Sequence, residues 1–337
     1  MFKNKYYKYK TKYFNLKKQI GGMLSNTTKI SPLEEKDYDL SNIKLIGSGG
    51  YGIVGIIPYQ TTFLAIKLIK GTHVCSSAKD ESTIHNNVYC AFKELEDSLK
   101  DTSYKYLYIP KPMSFKNYDV PKTLTFANSD FESQMISCSY AMEYMIPINI
   151  KKNIYENNPI QIHISASLNE GFIKNSEYRG YMIHSIFQLH NLLKLLNDEN
   201  PKIKKPQSIF DVIEAIGIAV GCAIFSSKYN PKDFQFMLSE FNGEYKIIGF
   251  DFGLFEKIEN FDSITMNQIF DDIIMSPYLG MFMSGYENSF LNGISLVVKQ
   301  FVKLYGKDCK EFNGFKILVD LFTKEITSIM NETLKIN

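Results

Sequence analysis

Leu45-Ile46-Gly47-Ser48-Gly49-Gly50-Tyr51-Gly52-Ile53-Val54 precedes Ala65-Ile66-Lys67, with the lysine thirteen residues after the valine. Gly47, Gly49 and Gly52 let a strand-turn-strand close over a ligand with no Cβ in the way. Backbone N–H groups can then approach phosphates. A dinucleotide-binding turn shares the G-x-G-x-x-G spacing but opens a helix. Here the glycines lie between two β-patterned runs, Asn42 to Ile46 and Ile53 to Ile57, and a third strand carries Lys67. An ordinary glycine hairpin is the plain alternative, and the motifs further along the chain weigh against it.

The 337 residues suit one two-lobed domain or two domains of ordinary size. A net charge of +2, with basic residues interspersed among acidic ones, gives no footprint for nucleic acid as a partner. Arg179 is the only arginine. Lysine cannot reproduce the planar bidentate fork that receives phosphate or carboxylate, so recognition of that kind is weakened throughout. The cysteines Cys75, Cys90, Cys138, Cys222 and Cys309 are odd in number, scattered and free of C-x-x-C spacing, which suggests a reducing, intracellular compartment. The most apolar run, Ile209 to Phe225, is interrupted by Asp211 and Glu214, so no membrane span is expected.

Ala78 to Lys100 places Ile84, Val88, Leu95 and Leu99 on one helical face, which Glu81 shares; Glu94 is a rival carboxylate on the same helix. Ile109 to Met113 reads as an edge strand and Met135 to Tyr144 as an inner one, ending Ser139-Tyr140-Ala141-Met142-Glu143-Tyr144-Met145. Tyr155 to Glu177 has no strong periodicity and reads as an insertion. Helices are expected over Arg179 to Leu196, Ser208 to Lys228, Asn288 to Tyr305 and Asn313 to Leu334. The second of these is apolar almost all round, as a central buried helix should be. After it come Tyr229-Asn230-Pro231-Lys232-Asp233-Phe234-Gln235-Phe236-Met237-Leu238, a hairpin through Asn242-Gly243, and Ile247-Ile248-Gly249-Phe250-Asp251-Phe252-Gly253.

From the glycine hairpin through Asp251-Phe252-Gly253, the chain resembles the protein-kinase superfamily, over roughly Asn42 to Leu254. The resemblance implies an α+β, two-lobed fold with ATP in the cleft between a β-rich lobe and a mainly helical one. It assigns Ile46, Gly47, Ser48, Gly49, Gly50, Tyr51, Gly52, Val54 and Ala65 to ATP binding. It further implies that Lys67 holds the α- and β-phosphates and that Glu81 fixes Lys67. Met142 becomes the gatekeeper, and backbone groups of Glu143 and Met145 bond adenine. Asp251 becomes the Mg²⁺ ligand. Asp233, eighteen residues before it, matches the catalytic base that accepts the proton of a substrate hydroxyl.

The catalytic loop departs from the family pattern. Pro231-Lys232-Asp233 replaces His-Arg-Asp, and Leu238 stands where a metal-binding asparagine belongs. With a loop two residues shorter, Gln235 becomes the nearest stand-in for the second metal ligand. Asp233-Phe234-Gln235-Phe236-Met237-Leu238 is also similar to the Asp-Val-Glu-Phe-Val-Leu loop of certain fungal kinase-like domains. No Ala-Pro-Glu follows Gly253; Asp271, Asp272 and Ser276-Pro277-Tyr278 lie beyond it. Two functions stay open: a divergent phosphotransferase, acting on protein Ser/Thr or on a small hydroxyl compound, and a silent pseudokinase serving as a nucleotide-binding scaffold.

Residues 1–22 stand apart. Phe2, Tyr6, Tyr9, Tyr13, Leu16 and Ile20 form a heptad stripe among seven lysines and no acid, and Gly21-Gly22 stops the helix. The run Lys5 to Lys17 with Gln19-Ile20-Gly21-Gly22 resembles leaders of giant DNA virus proteins. That resemblance implies packaging with virion components or processing after Gly22, and places the protein in host cytoplasm or virion. The expected organisation is a leader at 1–22, a linker at 23–40, a small lobe with hinge at 41–146 and a helical lobe at 147–337.

Overall fold

A computed structural model describes residues 33–48, 52–71, 74–124, 126, 133–147, 160–162, 173–175, 180–183, 186–276 and 286–336. The leader at 1–22, the start of the linker, Gly49, Gly50, Tyr51, Arg179 and Pro277-Tyr278 lie outside these residues.

The architecture is α+β. A five-stranded antiparallel sheet in the order β1-β2-β3-β6-β5 comprises β1 Lys44–Ser48, β2 Gly52–Tyr59, β3 Thr62–Lys70, β5 Pro112–Leu124 and β6 Gln134–Glu143. Period-2 burial explains these strands, because Ile53 and Ile57 on β2 and Leu64, Ile66 and Leu68 on β3 all face the core. Helix α1, Cys75–Leu99, packs on β5 and β6. Its buried stripe runs Cys75, Ala78, Glu81, Ser82, His85, Val88, Phe92, Leu95 and Leu99, the three-and-four spacing of a helix with one face inside.

A second sheet runs β4-β13-β12-β8-β10-β9, with β7 also on β12. Its strands are β4 Leu107–Tyr108, β7 Ile146–Pro147, β8 Ile160–Ile162, β9 Ile173–Asn175, β10 Gly180–Ile183, β12 Gln235–Phe241 and β13 Glu244–Phe250. A short ribbon joins β11, Tyr229–Asn230, to β14, Glu256–Lys257. The other helices are α2 Ile186–Glu199, α3 Ile209–Gly221 continued by a π turn at Cys222–Ser226, α4 Ser263–Met275, α5 Glu287–Tyr305 and α6 Lys310–Ile336.

Three sequence expectations are corrected. Gly180–Ile183 is a strand and not the start of a helix, because β10 finds partners on both sides in β8 and β9. Part of the unpatterned 155–177 region likewise pairs as β8 and β9. Ile109 lies outside any strand, and the edge strand begins at Pro112, with a bulge between Pro112 and Ser114 in its pairing to β6.

Helix α3 is the centre of the large core. Ser208 caps it: its hydroxyl accepts from Asp211 N while the Asp211 side chain accepts from Ser208 N. Gly217 of α3 lies against Phe290 and Gly293 of α5, where a Cβ would strike the Phe290 carbonyl. Two helices can cross this closely only where backbone meets backbone. Ile209–Ser226 is the one stretch among the described helices long and apolar enough to cross a membrane, and 78% of it is buried inside the protein, as a core helix requires.

Cys75 and Cys138 are joined by a disulfide that ties the first turn of α1 to β6. The cysteine pattern, read as that of a reducing compartment, gives no sign of it, since a pairing across 63 residues leaves no mark in local spacing. Cys90, Cys222 and Cys309 are free. Peptide mapping without reductant should recover a Cys75–Cys138 cross-link and three alkylatable thiols. Reduction should lower stability by about 4 kcal/mol, the chain-entropy value for a loop of that length. Five alkylatable thiols in the unreduced protein would contradict the pairing.

Candidate functional site

The register of one hairpin builds the carboxylate end of the site. Asn242 and Gly243, at φ 52° and 73°, make the two-residue turn between β12 and β13. Positive φ at both central residues matches the strand twist and is easiest for an Asn-Gly pair. From that turn the ladder runs without a slip to Gln235 opposite Phe250. Asp233 and Asp251 therefore flank the open end of the hairpin. Gln235 bridges them, its Nε2 lying 3.2 Å from Asp251 Oδ2 and 3.5 Å from Asp233 Oδ2. Both aspartates sit in the left-handed region, at φ 57° for Asp233 and 63° for Asp251. Such backbone costs on the order of 1 kcal/mol or more per residue and persists only where the surroundings hold it.

Aromatic packing supplies the holding. Phe252, directly after Asp251, is buried against Phe234 and Phe255, with ring centroids 5.4 Å and 5.2 Å away. His85 of α1 stacks on its other side at 4.3 Å and 17°. His85 Nε2 meets the Pro110 carbonyl at 2.7 Å, and Nδ1 meets the Tyr140 hydroxyl. A carbonyl only accepts, so Nε2 carries the proton and Nδ1 accepts from Tyr140. Full burial lowers the His85 pKa to about 3, and the ring is neutral.

One turn before His85, Glu81 meets Lys67 of β3. Lys67 Nζ lies 2.8 Å from Oε1 and 2.7 Å from Oε2 of Glu81. Burial raises the Glu81 pKa above its ordinary 4.5; Lys67 opposes the shift and the charge of Asp251 adds to it. The pair adjoins Asp251: a Cβ on Gly253 would stand 3.4 Å from Glu81 Oε2 and 3.5 Å from Asp251 Oδ1. Glu94, the rival, is exposed on the same helix. Asp233 also titrates high, through burial first and Asp251 second, with Gln235 opposing.

Of the remaining predicted residues, those described belong to the five-stranded sheet or follow its strand β6. Ile46, Gly47 and Ser48 lie on β1, and Gly52 and Val54 on β2, where Val54 pairs with Lys67. Ala65 pairs with Met142 across β3 and β6. A Cβ at Gly52 would come within 2.6 Å of the Leu68 carbonyl, so this glycine is demanded by strand packing. Glu143 N donates to Lys111 O at 3.0 Å, while its carboxylate accepts from Tyr108 Oη at 2.6 Å and Lys111 N at 2.7 Å. Met145 follows, buried. Glu143 thus holds the exit of β6 to the start of the second sheet. Leu238 is wholly buried on β12 and offers nothing to the site.

The sequence marks Asp271 and Asp272 beyond Gly253 but gives Asp272 of α4 no role. Asp272 accepts from Asn230 Nδ2 at 2.6 Å and lies 3.6 Å from Lys232 Nζ, so it braces the loop of Asp233 from behind. Asp271 and Asp272 are adjacent in sequence, and only the fold shows that Asp272 and not Asp271 turns inward. No group of three or more His, Cys, Asp or Glu side chains converges as a metal site among the described residues. Asp233, Asp251 and Gln235 offer two carboxylates and an amide, hard oxygen donors of the kind that suit Mg²⁺. As placed, Gln235 directs its nitrogen at both carboxylates, and ligation would need the amide turned over. No protein-family model matches the chain, and no curated protein matches it.

Because the native His85 stays neutral to about pH 3 and an unfolded histidine protonates near 6.5, the unfolded chain binds the extra proton between those values. Stability should therefore fall on acidification through that window, with a slope of about 1.4 kcal/mol per pH unit from this residue. Denaturant melts from pH 6.5 to 4 should show a slope that His85→Gln reduces by that amount. An unchanged slope would contradict the buried neutral ring.

Proposed function

We propose that the chain is a divergent ATP-dependent phosphotransferase with a two-lobed protein-kinase-like fold. The five-stranded sheet and α1 form the small lobe, and the helices from α2 onward form the large one. The observation that carries the reading is the Lys67–Glu81 ion pair set beside Asp251. A buried carboxylate that fixes a lysine, next to a second carboxylate on strained backbone, is the arrangement expected where a cation must meet phosphate and a metal ion together.

In this reading β1, β2 and the glycine turn cover the nucleotide. Backbone groups at Glu143 and Met145 face adenine under Met142, and Lys67 binds the α- and β-phosphates. Asp251, with Asp233 and Gln235 near it, would hold Mg²⁺, which when bound neutralises charge on the phosphates. Asp233 accepts the proton of the acceptor hydroxyl. The hydroxyl oxygen forms its bond to the γ-phosphorus as the bond to the β-phosphate oxygen breaks, and ADP leaves. The acceptor is a protein serine or threonine or a small hydroxyl compound.

A second reading, a silent nucleotide-binding scaffold, draws on Leu238 and Gln235. The first is buried where an asparagine ligand belongs, and the second donates to the carboxylates it would have to join at a metal.

Transfer from γ-labelled ATP, to the chain itself or to a panel of peptides and small alcohols, separates the two. Asp233→Asn should lower kcat about 100-fold or more, the ordinary contribution of a general base, with the KM for ATP changed less than about threefold. Turnover should rise with pH through an Asp233 pKa above the ordinary 3.8, since only the ionised carboxylate accepts the proton. Equal rates for wild type and Asp233→Asn would favour the scaffold.

A further inference from the structure

Lys232 directly precedes Asp233, and its charge is met from two other elements. Nζ lies 2.8 Å from Glu256 Oε1 of β14 and 3.6 Å from Asp272 Oδ2 of α4. Asp272 also accepts from Asn230 Nδ2 and from Gln268 Nε2, at 2.6 Å and 3.3 Å. The β11–β14 ribbon sets Asn230 opposite Glu256, and Ile258 N donates to Lys228 O at 2.8 Å just beyond it. Inside the loop, Lys232 N donates to Asn230 O at 2.9 Å and Phe234 N to Pro231 O at 3.3 Å. The loop carrying Asp233 is thus pinned at its backbone by the ribbon and at its cation by two carboxylates.

An independent observation lies in the sequence. The residues from Phe252 to Asp262 contain no serine, threonine or tyrosine, and Ser263 already opens α4. A phosphate can order a segment by pairing with a cation beside a reacting group. Here the segment after Asp251 carries no hydroxyl to bear one. The cation that would receive it already faces Glu256, and a nearby phosphate would meet the charges of Glu256 and Asp272.

We propose that Glu256 and Lys232 form a built-in lock that holds the Asp233 loop in its working geometry without covalent activation. The inference rests on reading Asp233 as the base. Glu256 and Lys232 are positioning residues, acting through Asp233. The pair is partly exposed, so its effect is modest, a shift of severalfold in the fraction of loops correctly placed.

The test uses the full chain, treated with phosphatase and checked by intact mass. Wild type should keep its full transfer rate after that treatment. Glu256→Gln should lower kcat about two- to fivefold with the KM for ATP within about twofold, and Glu256→Asp should recover part of the loss. Amide hydrogen exchange over residues 229–234 should be faster in Glu256→Gln than in wild type. Loss of transfer on phosphatase treatment would overturn the proposal, as would a Glu256→Gln protein with unchanged exchange in that segment. If wild type transfers no phosphate at all, the functional reading fails. The exchange measurement then decides alone whether the lock exists, faster exchange supporting it and unchanged exchange refuting it.

Discussion

A carboxylate as buried as Glu81 stays charged only if a cation meets it, and Lys67 does so with hydrogen bonds to both oxygens. The pairing ties β3 to α1 and fixes how the helix lies across the sheet. The disulfide from Cys75 anchors the start of the same helix, and His85 anchors the next turn through Tyr140, Pro110 and Phe252. Removing either partner of the ion pair would leave an uncompensated charge beside Asp251, so sheet, helix and the Asp251 segment answer to one electrostatic requirement.

The carboxylate end has a different origin. A two-residue turn sets a register, and the register brings Asp233 and Asp251 together although eighteen residues separate them. Burial first and the charge of Asp251 second hold the Asp233 pKa above that of an ordinary aspartate. The strained backbone at both is held by the phenylalanine cluster, whose rings fill the space behind the hairpin. Packing energy is thereby converted into carboxylate placement.

Much of this was legible because it is local or periodic. The glycine run and the alternating isoleucines of β2 announce strands, Glu81 shares the apolar face of α1, and Asn242-Gly243 announces its turn. What was illegible depends on distant partners. Gly180–Ile183 reads as helix until β8 and β9 flank it, and Cys75 finds Cys138 only when α1 lies on β6. Asp272 cannot be told from Asp271 until α4 turns it toward Asn230.

The central claim is that Lys67, held by Glu81 beside Asp251, serves a nucleotide phosphate. Titration calorimetry of ATP into the folded protein, with and without Mg²⁺, tests it most directly. The account predicts saturable binding of one nucleotide per chain that strengthens with Mg²⁺ and is lost in a folded Lys67→Met protein. No saturable binding at millimolar ATP with Mg²⁺, in a wild type shown to be folded, would contradict it.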